Sequence, residues 1–321
     1  MLDITVEDFR ILIGERFSIE FQRTLKIPDD GKIYPLPPGL GVFPVYRVAD
    51  YLNRVPDHWK KPNSFFIPMY QREALWLGFN GRYWKPNAVK IGVGQINAVS
   101  GEAWDEYLQD NPQDYLVCPN QPWLDGINVG EGFIRQFVAV PLGLGDTIEA
   151  QVTGVEEFGG IQILVYEPKL GKFPDQPPPI SDNYDDIILE STSMTPAVDS
   201  EMGLGAGGKM KQKIYPDEYG IDTWDLENYG SISVYIVNSE KYQEITGLEP
   251  PPTPIDVQTY TQYGLPWFSL YDEEKGDLPA SARLAEVKTI GKREAERGVK
   301  LDTDDLSVDV SEFNIKNIDL F

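Results

Sequence analysis

Alternation of apolar and polar residues between Phe17 and Ile27 is the feature that most restricts how this chain can fold. Every odd position in this stretch is apolar except Arg23, and every even position is polar. Successive side chains of a β-strand point to opposite faces, so a period of two predicts a strand with one buried and one hydrated face. We therefore expect a sheet that covers a hydrophobic core.

The same alternation recurs near the middle of the chain. Residues 148–153 alternate between apolar and polar types, and the apolar run Ile161–Tyr166 follows the glycine pair at positions 159 and 160. This order predicts a β-hairpin that closes through the polar loop near residues 156 and 157.

Short strand patterns outnumber helical ones elsewhere in the chain. Further strand candidates are Phe65–Phe79, Ala88–Val99, Asp114–Val117, Phe133–Val140, Ile232–Val237 and a weak alternation at Leu306, Val308 and Val310. Helix candidates are Val48–Arg54, Glu102–Leu108 and Ser239–Thr246, the last with Ser239 as the expected N-cap and Gly247 just past its end. Many strands and frequent Gly and Pro turns predict a mainly β fold, an antiparallel sandwich or barrel-like core with a smaller α+β C-terminal block.

Proline-rich and acidic stretches predict how the chain is divided. Residues 1–172 are expected to form a β-rich core domain, and residues 173–208, which are rich in Pro, Gly and acidic side chains, a linker. Residues 209–275 are expected to form the smaller α+β block, and residues 276–321 a charged C-terminal extension.

The balance of charge restricts the partners of the chain. A net charge of −23 opposes binding to the phosphate backbone of nucleic acids and to anionic lipid surfaces. No apolar run approaches the roughly 18 residues of a membrane helix, and the acidic start lacks the order of a signal peptide. With Cys118 alone there is no internal disulfide. We expect a soluble cytoplasmic protein that does not insert into membranes.

The chain contains one histidine, His58, and one cysteine, Cys118. Imidazole is the usual general base at neutral pH, the usual partner of a catalytic Ser or Cys, and the commonest transition-metal ligand. The residues around Cys118 carry no nucleophile signature, and His58 lies among charged, surface-type residues. We therefore assign no catalytic residue and no metal ligand, and the sequence favours a protein without enzymatic activity.

The glycine-rich segment Gly203–Lys209 matches two phosphate-binding patterns by letter. Both patterns work only between a buried strand and a helix, and neither flanks this segment. The segment is therefore interpreted as a flexible glycine loop that enters a strand. Lys209, Lys211 and Lys213 would share one face of that strand and protect an exposed edge.

Amide, guanidinium and carboxylate groups lie inside several strand candidates. A buried polar group without a partner costs about 1–3 kcal/mol, so inward-facing ones must pair with one another or line a polar pocket. The loop Asn120–Gly126 adds an aromatic ring, which suits a neutral polar ligand such as a sugar. The candidate ligand-binding residues are Arg72, Glu73, Gln95, Asn97, Asn120, Gln121, Trp123, Asp125, Arg135 and Gln136. The alternative is outward-facing polar residues with Trp123 in the core.

Five aromatic residues cluster within twelve positions of the second block: Tyr260, Tyr263, Trp267, Phe268 and Tyr271. Aromatic residues are enriched at the centres of protein interfaces, so these residues are candidates for a partner interface. The alternative is that they form the core of the second block.

These observations favour a non-catalytic binding or assembly protein that engages a protein partner, another copy of itself, or a polar small molecule or glycan. One alternative is a carbohydrate-active hydrolase or lyase that uses paired carboxylates, for which Glu73, Asp125 and Glu149 are candidates. Another is a calcium-dependent assembly or adhesion protein, with calcium as the one cofactor considered. Its acidic clusters are Asp182, Asp185 and Asp186; Asp217, Glu218, Asp222 and Asp225; and Asp302, Asp304 and Asp305.

Overall fold

The computed structural model describes residues 1–177, 201–270, 275–300 and 305–318. Within these ranges the chain forms nineteen strands and five short α-helices. The predicted fold class is confirmed: the strands pair mainly antiparallel in one large sheet, and a smaller α+β region follows in the C-terminal part. No helix in this part of the chain is long and apolar enough to cross a lipid bilayer.

The first ten strands come from the N-terminal hundred residues. They are β1 Ile4–Glu7, β2 Arg10–Ile13, β3 Phe17–Thr24, β4 Ile33–Tyr34, β5 Gly39–Val42, β6 Tyr46–Arg47, β7 Ser64–Pro68, β8 Ala74–Asn80, β9 Asn87–Val93 and β10 Ile96–Asn97. Strand β3 confirms the predicted alternation, because Phe17, Ile19 and Phe21 are buried while the residues between them are half-buried.

The remaining elements are β11 Leu116–Cys118, β12 Trp123–Leu124, β13 Gly126–Gly130, β14 Phe133–Pro141, α1 Ile148–Thr153, β15 Ile161–Pro168, β16 Glu201–Lys211, β17 Trp224–Val237, α2 Ser239–Thr246, α3 Val257–Gln262, β18 Trp267–Leu270, α4 Ala282–Glu286, α5 Ile290–Glu296 and β19 Ile315–Ile318. Single 3₁₀ turns lie at Val48–Tyr51, Asp57–Trp59, Ile221–Thr223 and Glu312–Asn314.

Strand β14 lies at the centre of the large sheet. It pairs antiparallel with β13, β8 and β16. The sheet continues from β8 to β3 on one side, and from β16 through β17 and β15 to β9 on the other. Two pairings are parallel, β4 with β16 and β7 with β17. One hydrophobic core joins these strands to the C-terminal region, because Ile134 and Ile163 belong to the same buried cluster as Trp267 and Leu284.

Residues 148–153 form a helix, so the predicted strand and hairpin at this place are wrong. Thr147 caps the start of α1, where its Oγ1 accepts a hydrogen bond from the Ala150 N–H. Gly154 ends the helix with a φ of 84°. These two caps favour a helix over the strand that the six-residue alternation predicts. Strand β15 therefore pairs with β17 and β9.

The glycine-rich segment is a strand, so its interpretation as a flexible loop is also wrong. Residues 203–206 of β16 pair with β14, and residues 209 and 210 pair with both β14 and β4, so Lys209 does not protect an exposed edge. A Cβ atom on Gly208 would lie 2.5 Å from the carbonyl oxygen of Pro28. Glycine is needed here because another backbone approaches closely. Residues 201–208 of the predicted linker lie in this strand, and the division into domains stays a prediction.

Several predicted boundaries shift. The candidate at 65–79 is divided into β7 and β8, and the candidate at 88–99 into β9 and β10. Residues 102–108 form no helix, and residues 306–310 form no strand. The predicted helix at 239–246 is present as α2, with Gly247 after its end, but its N-cap is Asn238.

Candidate functional site

Two of the predicted ligand-binding amides are fully buried and are bound by backbone groups. Gln136 Oε1 accepts from the Ile27 N–H at 2.8 Å, and Gln136 Nε2 donates to the Leu25 carbonyl at 2.8 Å. Asn97 Nδ2 donates to the Asp114 carbonyl at 2.7 Å, and its Oδ1 accepts from two backbone N–H groups. Both amides hold loops against strands and face protein rather than a cavity.

The polar residues of the loop 120–126 contact the connection between β16 and β17. Gln121 Oε1 accepts from the Tyr215 N–H at 3.1 Å, and Asn120 donates to the carboxylate of Glu218. Trp123 is half-buried, with its ring edge-on to Trp76. The structure brings these residues together, but they contact another segment of the same chain rather than a ligand cavity.

Asp125 is buried in this loop and has no cationic partner among the described residues. Its Oδ2 accepts from Gln212 Nε2 at 2.8 Å, and its N–H donates to Gln212 Oε1 at 3.0 Å. Burial raises the pKa of Asp125 to about 7, against the opposing effect of hydrogen bonds from Gln212 and Trp123. A neutral carboxyl group held by an amide suits a structural role as well as it suits proton transfer.

Glu73 is buried in an ion pair. Its Oε1 lies 2.6 Å from Arg23 Nη2, and its Oε2 accepts from the Tyr70 N–H at 2.9 Å. Burial raises the pKa of Glu73, although the Arg23 guanidinium acts in the opposite direction. Arg23 also donates to the carbonyl of Pro252, so the pair attaches the segment after α2 to the sheet.

The two predicted arginines attach the C-terminal region to the sheet. Arg72 forms ion pairs with Glu294 and Asp305, each at 2.5 Å. Arg135 Nη1 donates to the Val287 carbonyl at 2.7 Å, and burial lowers the pKa of Arg135. Neither guanidinium is directed at a cavity by these contacts.

Glu149, the third carboxylate candidate for glycoside hydrolysis, is bound by backbone N–H groups. Its oxygens accept from Glu157, Phe158 and Gly159 at 2.9–3.0 Å. Glu73, Asp125 and Glu149 therefore each have their own structural partners, and none of these contacts joins two of them.

Gln95 differs from the other predicted ligand-binding residues. Its side-chain amide has no hydrogen-bond partner among the described residues, and it lines a cavity of about 160 Å³ together with His58 and Tyr235. His58 Nε2 lies 3.2 Å from Glu201 Oε2, and about half of its side chain is exposed. Cys118 is buried elsewhere, and its Sγ donates a hydrogen bond to the Gln121 carbonyl. His58 and Cys118 therefore do not form a thiol dyad.

The aromatic segment is divided between core and surface. Tyr260 is buried and donates to the Pro266 carbonyl at 2.8 Å, and Trp267 is fully buried against Tyr34 and Tyr260. Phe268 is half-buried in β18. Tyr263, by contrast, is 77% exposed. Tyr271 lies outside the described residues.

Two further exposed apolar side chains lie in the segments next to Tyr263. Leu265 is 40% exposed and Phe313 is 99% exposed. The two segments are neighbours, because a Cβ atom on Gly264 would lie 3.7 Å from Asn314 Nδ2, and Trp267 pairs with Ile315. We name Tyr263, Leu265 and Phe313 the apolar surface.

The edge of a small sheet lies beside the apolar surface. Strand β18 pairs with β19 on one side and with Leu36 on the other, where Phe268 and Leu36 exchange two backbone hydrogen bonds of 2.8 and 2.9 Å. Strand β19 pairs only with β18 in the described part of the chain. Its outer edge therefore offers backbone N–H and C=O groups next to exposed aromatic rings.

Only some residues of the predicted acidic clusters lie in the described part of the chain. Asp182, Asp185, Asp186, Asp302 and Asp304 lie outside the described residues. Asp217 accepts from the Tyr115 hydroxyl at 2.7 Å and from Trp224 Nε1 at 2.9 Å, and Asp305 is paired with Lys26 and Arg72. Over the described ranges, no three His, Cys, Asp or Glu side chains are grouped as they would be around a metal ion.

Comparisons with known proteins find no related protein. No protein-family model matches the chain, and no curated protein or solved structure matches it significantly.

Phe313 has a weak signal in the sequence, and Gln212 has none. Phe313 is a single aromatic residue between polar neighbours in the charged C-terminal extension. Gln212 directly follows the last residue of β16, and only the fold brings it to Asp125. The sequence carries no signal for that contact.

Proposed function

We propose that this protein is a non-catalytic binding protein that engages a protein partner through the apolar surface and the adjoining edge of β19. The observation that carries the proposal is the exposure of two aromatic side chains, Tyr263 at 77% and Phe313 at 99%, in segments that the pairing of β18 with β19 brings together. Large exposed aromatic side chains in neighbouring segments mark interaction sites more often than ordinary surface.

The outer edge of β19, which has no strand partner among the described residues, supports the same function. An extended peptide can add a strand to such an edge, where backbone hydrogen bonds give affinity and side-chain pockets give specificity. The rings of Tyr263 and Phe313 would supply the apolar contacts at one end of that strand. The outer edge of the strand and the exposed rings would thus serve one function.

The net charge of the chain favours a different protein as the partner, rather than a second copy of the same chain. Two copies, each with a net charge of −23, repel each other. Asp309 and Glu312 lie close to Phe313 in the sequence, and both are exposed. We therefore propose a partner whose binding segment combines apolar side chains with Lys or Arg.

The carbohydrate-active enzyme is not the function that we propose. A glycoside hydrolase needs two carboxyl groups on either side of one bond, about 5–10 Å apart. Glu73, Asp125 and Glu149 are instead bound separately by an arginine, an amide and backbone N–H groups. A calcium-dependent function has no support from the described acidic residues either.

A photo-crosslinking amino acid at position 313 tests the proposal in cells that naturally make the protein. We expect one discrete protein adduct, which is lost when Tyr263→Ser is added. The matched control carries the same amino acid at Leu170, which is 89% exposed and belongs to a different loop. Equal adducts at both positions, or none at 313, would contradict the proposal, and an adduct of the chain with itself would replace the partner by a second copy.

A further inference from the structure

We propose that the cavity beside His58 binds a small neutral polyhydroxylated molecule, of the size of a monosaccharide or a cyclic polyol. The cavity measures about 160 Å³, the room of about five water molecules. Its walls come from the segment 58–61, the turn between β9 and β10, the loop before β15, and the strands β15 and β17. This proposal is independent of the apolar surface. We name this space the His58 cavity.

Four polar side chains in the His58 cavity have no hydrogen bond or ion pair among the described residues. They are the amide of Gln95, the hydroxyl of Ser233, the ammonium of Lys61 and the carboxylate of Glu157. Together they offer donors and acceptors with one charge of each sign. An anion would meet Glu157, and a cation would meet Lys61, so a neutral ligand with several hydroxyl groups matches the wall best.

The backbone of Gln95 is the second observation that points to a ligand. Gln95 has a φ of 64° and Gly94 a φ of 55°, in the two-residue turn that joins β9 to β10. Such turns favour Gly, Asn or Asp, because most side chains are strained at positive φ. A glutamine here carries a local cost; it lines the cavity, and its side-chain amide has no hydrogen-bond partner among the described residues. Strain of this kind is retained where a side chain has a use.

Neighbouring residues fix the position of this turn. Gln162 Oε1 accepts from the Gln95 N–H at 2.9 Å, and Gln162 Nε2 donates to the Gly159 carbonyl at 3.1 Å. Gln162 thereby holds the Gln95 turn and the loop before β15 at a fixed separation. A cavity whose opposite walls are joined in this way loses little freedom when a ligand enters.

Aromatic rings give the cavity a rigid side. Tyr235 stacks on the buried Trp59 with ring centroids 4.6 Å apart and planes 5° apart. His58 lies edge-on to both rings, and Lys61 Nζ lies 5.7 Å from the centre of the Phe158 ring. Rings beside amides and hydroxyl groups are the usual wall of a site that takes a polar ring-shaped ligand.

The single histidine makes the test specific to this cavity. The ring protons of His58 give one set of imidazole signals in the proton NMR spectrum, because the chain has no other histidine. The probes are D-glucose, D-mannose, N-acetyl-D-glucosamine and myo-inositol, each titrated to millimolar concentration at constant pH. We expect a saturable shift of the His58 signals with at least one of them.

The Gln95→Gly variant tests the role of the amide. Glycine accepts the positive φ, so the turn should persist while the amide is lost. We expect the dissociation constant of the probe to rise about tenfold or more, equivalent to ~1.4 kcal/mol. Glu131→Gly is the matched control, because Glu131 also has a positive φ of 57° but lies in the turn between β13 and β14.

Three results would overturn the proposal. One is the absence of a saturable shift with all four probes. Another is an equal dissociation constant in wild type and Gln95→Gly, or an equal weakening in Glu131→Gly. The third is a saturable shift with inorganic phosphate or ammonium chloride in place of the neutral probes, which would assign the cavity to an ion.

Discussion

Asp125 is a residue whose ionisation should affect stability in the neutral pH range. Burial raises its pKa to about 7, while an unfolded chain gives a carboxyl group of this type a pKa of about 3.9. Between these two values the folded protein holds a proton that the unfolded chain releases. The contribution of Asp125 is therefore most favourable below about pH 4, and it is lost as the pH rises towards about 7.

The Asp125→Asn variant should remove this dependence. At pH 8 we expect its free energy of unfolding to exceed that of wild type by on the order of a few kcal/mol, and at pH 4 by little. Urea denaturation at both pH values measures the difference. Asp309→Asn is the control, because that side chain is fully exposed. An equal effect of Asp125→Asn at both pH values would contradict the assignment.

The buried pair of Arg23 and Glu73 should show strong coupling. Arg23→Met leaves the Glu73 carboxylate buried without a cation, which typically costs about 3–5 kcal/mol. The double variant Arg23→Met with Glu73→Gln should lose much less, because no uncompensated charge remains. A double-mutant cycle by chemical denaturation measures the coupling. Additive losses would show that the pair contributes little.

At the scale of elements, β16 depends on glycine for its place in the sheet. A methyl group on Gly208 would lie 2.5 Å from the Pro28 carbonyl oxygen and 2.7 Å from Ile27 Cγ2. We expect Gly208→Ala to lower the free energy of unfolding by about 3 kcal/mol, since backbone cannot move away as a flexible side chain would.

Gly276→Ala is the matched control for that substitution. Its new methyl group would lie 3.5 Å from the nearest atom, which is ordinary contact, so we expect a change of less than about 0.5 kcal/mol. Thermal denaturation of both variants measures the contrast. Equal melting temperatures would mean that β16 tolerates a side chain at Gly208 and that the close approach is not essential.

Elements with a local signal could be predicted from the sequence, and those defined by distant contacts could not. The alternation in Phe17–Ile27 identified β3, and the glycine at position 247 identified the end of α2. Residues 148–153 alternate like a strand but are held as a helix by Thr147 and Gly154. The segment 203–208 was mistaken for a loop because its pairing with β14 joins residues more than sixty positions apart.

The candidate sites show the same limit. The residue type of Gln95 inside a strand pattern makes it a candidate, but nothing in the sequence shows that it lines the same cavity as His58. Gln136 and Asn97 also carry side-chain amides, and the fold gives them backbone partners instead. The charged residues around Phe313 predict a solvated extension rather than an interaction site.

At the scale of the whole molecule, the described parts share one core. Strands β16 and β17 pair with β14, β15 and β7 from the first part of the chain, and ion pairs of Arg72 and Lys26 with Asp305 attach the C-terminal region. We therefore expect heat to unfold the protein in one cooperative transition.

Calorimetry, tryptophan fluorescence and far-UV circular dichroism should then give the same midpoint. The calorimetric and van't Hoff enthalpies should also agree. Two separated transitions would contradict this expectation and would favour the division into a core domain at 1–172 and a second block at 209–275.

The central claim is that the apolar surface binds a protein partner, and the affinity of the purified crosslinked partner tests it most directly. Truncating an aromatic residue at the centre of an interface typically costs about 2 kcal/mol or more, so Phe313→Ser should raise Kd about 30-fold or more. Leu170→Ser should leave Kd unchanged, since Leu170 is 89% exposed but lies apart from this surface in the chain. An unchanged Kd for Phe313→Ser, with the fold intact by circular dichroism, would contradict the claim.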